Sequence, residues 1–516
     1  MKSNLLIALL LTTIFSNAQI TEAKLDDLVQ RTMKTFNVPG IAVAIVKDGK
    51  VVVSKGYGVT NIKTQQKVDG NTLFGIASNS KAFTAAALAM LVDEKKINWD
   101  DKVIQYLPEF KMYNDYVTKE FTIRDLLTHR SGLGLGAGDL MIWPDGHNFT
   151  PKDIIKNIHF LKPVSAFRTK YDYDNLLYVI VGEVIERVSG KSWCDFVETR
   201  ILAPLQMNNS AASWRRLKDT TNTIVPHVPT NGKLEVIKRY TNPIFDAAAG
   251  IYTSTNDLSK WVIAQLNHGK YGANNENRLF SEAVHKDMWT SQTILPLNNM
   301  KPYSCNFKAY GLGWQLTDIN GHLQVSHTGG LDGIVTQTLM IPDIQLGIIV
   351  LTNQQVGVAF NAISNTIKDS YLGFHFPDHV VTLSASRKQF EDDADKVTDE
   401  VWIKVNQNIA ANTQLEPKKL IGTYTDNWFG KIKIFQSNGA LRFQSERSSR
   451  LKGYIFYYKD NTYAVKWDIR SFQADAFIHF DISEDGIATH FKMEAISPLT
   501  DFSYDFQDLD FTKDIN

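Results

Sequence analysis

Residues 78–92 read Ser-Asn-Ser-Lys-Ala-Phe-Thr-Ala-Ala-Ala-Leu-Ala-Met-Leu-Val. The run has no Gly or Pro and is rich in Ala, Leu and Met, which propagate a helix at little entropic cost. Its apolar residues fall on nearly every side, so the helix belongs inside a domain. Ser78 and Lys81 stand at i and i+3 and share one helical face, where a hydroxyl and an amine can hydrogen-bond. The N–H groups and dipole at a helix N-terminus favour negative charge and would stabilise a developing alkoxide. Burial in surroundings such as Ala82–Val92 lowers a lysine pKa and would make Lys81 a neutral base for a Ser78 nucleophile.

Spacing alone proves little. Ser449-Arg450-Leu451-Lys452 repeats Ser-x-x-Lys, but it lies among polar residues with no long apolar helix behind it. That second match is read as accidental.

Working outward, an amphipathic helix pattern near Ile20–Phe36 precedes two β-rich runs, Gly40–Val46 and Lys50–Lys55, joined at Asp48-Gly49, a preferred hairpin turn. Residues 95–300 alternate helical stretches with loops, as at Thr122–Leu127, Leu176–Ser189 and Asp257–Leu266. Strand patterns return at His322–Ser326, Val335–Ile341 and Leu346–Leu351, and a helix pattern over Val358–Tyr371 closes the unit. Strands at both ends of a helical middle predict an α/β (α+β) fold: an antiparallel sheet flanked by helices, with an inserted helical subdomain. Leu383–Ala411 is polar and reads as a connecting helix. Its acids Glu391, Asp392, Asp393 and Asp395 lack the turn glycine of a calcium loop and read as a solvated helix face. From Leu415 onward, short aromatic and β-branched runs separated by turns such as Ser437-Asn438-Gly439 predict a small antiparallel β-barrel or sandwich. The expected organisation is a signal segment over 1–18, a sheet-and-helix domain over 19–378, a helical linker over 379–414 and a barrel over 415–516.

With 516 residues, the chain is long enough for at least two cores. Lysine plus arginine equals aspartate plus glutamate, 55 against 55. No net field draws it to nucleic acid or an anionic membrane, so the expected partner is a small-molecule or short-peptide substrate, with self-association left open. Cys194 and Cys305 are the two cysteines; they exclude a disulfide framework and a cysteine zinc site, and read either as a pair formed after export or as two buried small hydrophobes. No cofactor or metal is implied. Met1-Lys2, the apolar run Leu5–Ile14 and Ser16-Asn17-Ala18 follow the order of a secretory signal, with cleavage expected after Ala18. The expected location is periplasmic or secreted, without a transmembrane anchor, because about ten apolar residues are too short to span a bilayer.

Three further clusters carry chemistry. Tyr173-Asp174-Asn175 places a phenol that can relay a proton and an amide that can hold a carbonyl at the start of a helical stretch. Tyr240-Thr241-Asn242 has the same pattern. His327-Thr328-Gly329-Gly330 is expected at a strand end, where glycines admit a ligand to the backbone. The N–H groups of Ser78 and Gly330 form the expected oxyanion-hole pair. The glycine-rich stretch Ser131–Gly138 follows a helix rather than a strand, which argues against a nucleotide loop and for a flexible loop beside the site. There is no His-Glu-x-x-His, Gly-x-Ser-x-Gly or Walker-type motif in the sequence.

In order, Ser78-x-x-Lys81, Tyr173-x-Asn175 and His327-Thr328-Gly329 resemble the three active-site motifs of the serine β-lactamase and penicillin-binding-protein superfamily. The likeness covers about residues 25–375 and is most similar to the class C-type branch, which includes esterases and D-aminopeptidases. Val38-Pro39-Gly40, Leu126-Leu127-Thr128-His129-Arg130-Ser131-Gly132 and Tyr310-Gly311-Leu312-Gly313-Trp314 belong to it too. The resemblance implies an acyl-enzyme on Ser78, proton transfer shared by Lys81 and Tyr173, a substrate contact at Asn175, and substrate binding along His327, Thr328 and Gly329, with Gly330 completing the oxyanion hole. His327 stands where relatives usually carry lysine, so a carboxylate loses a cationic partner. Asp174 stands where class C relatives commonly carry serine, and a carboxylate there would repel anionic substrates. The tail resembles the lipocalin-like barrel of this branch, with Trp428 and Phe429 either lining the cleft or packing the barrel's own core.

The resulting expectation is an exported serine hydrolase acting on small peptide, D-amino-acid amide or ester bonds, with weak or absent β-lactamase activity. The alternative is a penicillin- or peptidoglycan-fragment-binding receptor that stops at acylation.

Overall fold

A strand buried on both faces shows no polar alternation, and Gly40–Lys47 (β1) is such a strand. Its odd residues Ile41, Val43 and Ile45 enter one core, and Ala42, Ala44 and Val46 enter another. The computed structural model describes residues 19–230, 232–298, 300–411 and 417–515. The signal segment expected over 1–18 lies outside the described residues, as does 412–416 near the end of the linker.

β1 turns at Asp48 and Gly49, both with positive φ (52° and 72°), into Lys50–Gly58 (β2). That is the conformation a tight type I′ hairpin needs. The chain returns to the same sheet as Thr293–Ile294 (β3), Lys308–Tyr310 (β4), Gln315–Ile319 (β5), His322–Leu331 (β6), Ile334–Ile341 (β7) and Leu346–Thr352 (β8). The order is β2-β1-β8-β7-β6-β5-β4-β3, with every pairing antiparallel. Helices Glu22–Phe36 and Gly357–Leu372 cover one face through Leu25, Leu28, Val29, Ile363 and Ile367. Helices Ser80–Asp93 and Thr255–Leu266 cover the other through Phe83, Leu88, Trp261 and Val262.

Two expectations are corrected. β6 does not stop at Ser326: it runs through His327-Thr328-Gly329-Gly330 to Leu331, because ladder pairing to β7 holds two glycines that have weak strand preference. The helical middle also contains short two-stranded ladders, His227–Thr230 with Lys233–Val236 and Lys270–Tyr271 with Asn277–Arg278.

Helix His379–Ala410 has 32 residues and spans about 48 Å at 1.5 Å per residue. Three of its acids are paired with neighbours one turn away: Arg387 with Glu391, Lys388 with Asp392 at 2.8 Å and Lys396 with Asp393 at 2.9 Å. Val401 and Val405 dock it on Ala464 and Ile496 of the tail. The tail is a closed eight-stranded antiparallel barrel running from Gly422 to Lys513. Trp428 and Phe429 are buried there, and the Trp428 carbonyl accepts a hydrogen bond of 2.8 Å from Asn157 Nδ2, which precedes the sheet's return strands. They are packing residues at the seam. Arg447 adds to that seam with an ion pair of 3.1 Å to Asp153. Among the described residues no helix is long and apolar enough to cross a membrane.

Candidate active site

Ser78 sits in a single 3-10 turn, Ala77–Asn79, immediately before the helix Ser80–Asp93. A 3-10 turn repeats every three residues, so Ser78 and Lys81 still face one way. Ala77 has φ 50°, a left-handed conformation that a residue with a Cβ adopts at a cost. The turn is tied down on both sides. Thr336 Oγ1 of β7 donates to the Ile76 carbonyl at 2.8 Å and accepts from Asn79 Nδ2 at 2.9 Å, while the Ile76 N–H donates to Ile251 at 2.9 Å.

Lys81 is fully buried, and its amine has three oxygen neighbours: Ser78 Oγ at 3.1 Å, Asn175 Oδ1 at 2.8 Å and the Ala248 carbonyl at 3.1 Å. Burial pushes its pKa down to about 7, against the opposing charges of Asp139 and Asp174. Two of the three neighbours are carbonyl oxygens that can only accept. They take the two N–H bonds of a neutral amine and leave its lone pair directed at the Ser78 hydroxyl. This arrangement can deprotonate a nucleophile at neutral pH.

Tyr173 packs beside the pair, its ring centroid 4.9 Å from the Lys81 amine. Burial raises its pKa well above that of a free phenol, with the Ser78 hydroxyl acting in the opposite sense, so it remains an O–H donor across the working range. The phenol is held by an aromatic box around buried His129, whose ring lies 4.3 Å from Tyr173, 5.5 Å from Tyr178 and 4.6 Å from Tyr310. His129 Nδ1 accepts the Asp174 N–H at 3.1 Å, and burial holds the ring neutral.

β6 supplies the opposite wall. β5 pairs with it only as far as Ser326, so His327–Leu331 leaves an open edge on that side. Leu331 and Ile334 close a two-residue hairpin to β7, and antiparallel alternation then directs the N–H groups of Thr328 and Gly330 toward the open edge. Gly329 faces elsewhere: a Cβ there would meet the Ile76 carbonyl at 2.2 Å, so this glycine lets β6 approach the Ser78 turn. A Cβ on Gly330 would meet nothing within 4 Å. His327 Nδ1 donates to the Thr328 carbonyl at 2.6 Å, which leaves Nε2 to accept the Tyr310 hydroxyl at 2.8 Å. Burial pushes its pKa down to about 3. This position therefore presents no cation.

Ser78, Tyr173, Asn175, His327, Thr328 and Gly330 line one cleft of about 290 Å³. Ile142, Trp143, Tyr171 and Phe245 add apolar walls, and Asp501, Phe502 and Ser503 reach in from the barrel. The other Tyr-x-Asn is structural: Tyr240 donates to the Ile142 carbonyl at 2.6 Å and stacks on Trp143. Asp174 is not in the cleft wall. It is fully buried and accepts the Leu177 N–H at 3.4 Å at the start of helix Leu176–Ser189, with burial raising its pKa to about 7. Its expected repulsion of substrate is replaced by a helix-capping role. The glycine-rich loop is packed, not free: Gly132 abuts Tyr113, Gly136 abuts Phe502 and Gly138 abuts Leu176. Cys194 and Cys305 are both unpaired and only partly buried. Among the described residues no group of three or more histidine, cysteine or acidic side chains could hold a metal ion.

Sequence reasoning overlooked Asp139, which accepts from Asn175 Nδ2 at 2.7 Å, and the roles of His129 and Tyr310. The repeated histidine–tyrosine contacts have no local sequence signature, because their members come from four separate segments.

A half-buried serine hydrogen-bonded to a fully buried lysine, beside the open stretch of an antiparallel sheet, defines the protein, by class, as a serine hydrolase. Residues 25–371 match the Beta-lactamase family, and the chain belongs to that family. Residues 407–513 match a domain of unknown function (DUF3471). Among curated relatives, the chain is 26% identical over 422 residues to unguisins hydrolase ungD' of Aspergillus campestris, covering 78% of this chain and 75% of that protein. It is 29% identical to protein flp of Staphylococcus aureus, covering 64% of this chain and 63% of that protein. A solved structure, the octameric penicillin-binding protein homologue from Pyrococcus abyssi, has the same fold, with a TM-score of 0.61 and 21% identity over 96% of this chain and all of that one.

Proposed function

We propose that the protein is an exported hydrolase of the class C-like branch that forms an acyl-enzyme on Ser78. It cleaves small peptide, D-amino-acid amide or ester bonds and has weak or absent β-lactamase activity. The observation that carries this reading is the accounting at Lys81, where two carbonyl acceptors leave one lone pair for the Ser78 hydroxyl. Lys81 takes the Ser78 proton as Oγ attacks the substrate carbonyl carbon, and the oxyanion is received by the N–H groups of Ser78 and Gly330. Tyr173 gives its phenolic proton to the departing amine or alkoxide and is re-protonated by the Lys81 ammonium. Water then attacks the ester carbonyl by the reverse path and frees Ser78.

The uncharged His327 favours substrates that lack a carboxylate at that point. Export rests on the pattern of residues 1–18, hydrolysis on the relatives named hydrolases, and self-association on the homologue named octameric. A fluorophosphonate or fluorescent penicillin should label the wild-type chain and Ser78 should carry the adduct. Undiminished labelling of Ser78→Ala would sink the assignment. Multiple turnovers on any ester or D-aminoacyl anilide exclude a receptor that stops at acylation.

A further inference from the structure

Asp139 joins the hydrolase site to the barrel. It is fully buried, and its Oδ2 accepts two hydrogen bonds: one of 2.7 Å from Asn175 Nδ2 and one of 3.0 Å from Ser503 Oγ of the barrel. On either side of it, the N–H groups of Gly138 and Leu140 donate to the two carboxylate oxygens of barrel Asp505, at 2.6 Å and 3.0 Å. Asp505 is also fully buried. The loop and the barrel are in backbone contact, since a Cβ on Gly136 would lie 2.6 Å from the Phe502 carbonyl. The Gly136 N–H donates to the carbonyl of Tyr173 at 2.8 Å, so the same loop braces the proton relay.

The chemical weight of these contacts falls on one amide. A neutral amine both donates and accepts, so Lys81 alone can meet either end of Asn175. Facing the amide oxygen, Lys81 spends an N–H and keeps its lone pair for Ser78. Facing the NH2 group, it would accept a hydrogen bond into that lone pair and lose its basicity. Asp139 removes the ambiguity by accepting the NH2 end. Ser503 donates to the same Oδ2, so a proton taken up by this buried carboxyl goes to Oδ1, which has no protein partner. Oδ2 thus stays an acceptor whatever the charge of the group.

We propose that Ser503 and Asp505 of the barrel are positioning residues for the Ser78–Lys81 pair, acting through Asp139 and the amide of Asn175. The hydrolase domain carries the nucleophile, and the barrel sets the orientation that makes its neighbour a base. This inference rests on the acyl-enzyme reading above.

The test is a set of full-length variants assayed with a neutral ester, with kcat read separately from KM because Ser503 also lines the cleft. Ser503→Ala should lower kcat about tenfold, the worth of one hydrogen bond to a buried carboxyl, with KM within about twofold of wild type. Ser503→Thr keeps the hydroxyl and should restore kcat. Asp139→Asn offers Asn175 a donor as well as an acceptor and should lower kcat about a hundredfold. In that background Ser503→Ala should cost nothing more, because its route is already cut. Asp505→Asn keeps one acceptor of two and should lower kcat at unchanged KM; wild-type kcat there removes Asp505 from the assignment. Ser503 is partly exposed, so its truncation reads out in a folded chain even if the buried aspartates tolerate no change. Wild-type kcat in Ser503→Ala, or costs that multiply independently in the double variant, overturns the positioning role. If Ser78→Ala still abolishes labelling, that failure leaves the acyl-enzyme standing. Labelling that survives Ser78→Ala overturns both.

Discussion

Ser78–Lys81 and Ser449–Lys452 have the same spacing and opposite surroundings. In the first, the amine is fully buried and its hydrogen-bond partners are all accounted for. In the second, both residues are exposed, Lys452 opens a strand, and the Ser449 hydroxyl donates to the Gly146 carbonyl at 2.9 Å. Ser449 lies in the turn before that strand, so no helical face holds i and i+3 together. Spacing supplies the two groups; burial and satisfied partners give only the first pair the surroundings that the proposed nucleophile and base require.

The widest separation between the two sites is covalent. Ser78→Ala should lower turnover by about 10⁴ or more, the scale of removing a nucleophile, whereas Ser449→Ala should match wild type in the same assay. Next comes the base. Arginine cannot shed its proton, so Lys81→Arg should reduce acylation by roughly 10³ even though it keeps a positive charge available. Single-turnover acylation rates would check this, and a rate close to wild type would return Lys81 to a purely structural role. The same rates should depend on pH. Because burial brings the Lys81 pKa to about 7 and the base works unprotonated, acylation should rise with pH and level off above neutrality. The gain between pH 5 and pH 8 should be about a hundredfold; a flat profile would contradict the assignment.

A buried site also needs a scaffold that the exposed pair does not. Asp125 is fully buried, bonded to Arg130 at 2.9 Å and Arg168 at 2.6 Å, and caps its own helix with Thr122. Burial pushes its carboxyl up, but the bonds from Arg168 and Thr122 and the charge of Arg130 outweigh this and hold it below the usual range. A depressed carboxylate contributes stability above its unfolded pKa and loses it as pH falls. That contribution should therefore fade below about pH 4. Asp125→Ala should cost about 3–5 kcal/mol in denaturant unfolding near neutrality, since it strands two arginines; a cost under about 1 kcal/mol would show that solvent repairs the loss. The smallest effect concerns selectivity. His327→Lys should raise acylation by carboxylated β-lactams relative to neutral esters by about tenfold, the worth of one charge-assisted hydrogen bond. An unchanged ratio would mean that this position does not govern substrate choice.

Long periodic elements were legible from residue types. Helix Leu176–Ser189 has the expected limits, and the Asp48-Gly49 hairpin and the aromatic strands of the tail stand where their turn chemistry points. Thr293–Ile294, Lys308–Tyr310 and Gln315–Ile319 were not, because runs of two to five residues are too short to show a period and take their strand form from their partners. The site divides the same way. Ser78, Lys81, Tyr173 and Asn175 stand in motifs whose chemistry is recognisable. Asp139 lies in a glycine-rich loop, and its partner Ser503 is 364 residues away. Only folding makes them neighbours.

By itself the sequence determined the elements: a buried helix led by a hydroxyl and an amine, an antiparallel sheet flanked by helices, and a separate β-rich tail. Those follow from local preference and hydrophobic period, which act within a few residues. The tertiary structure decided which Ser-x-x-Lys is a pair, that His327 is spent on Thr328 and Tyr310, and that the barrel reaches Asp139. Lone pairs, desolvation and the orientation of an amide are set by whatever atoms fill the surrounding few ångströms, and in this protein those atoms come from both ends of the chain.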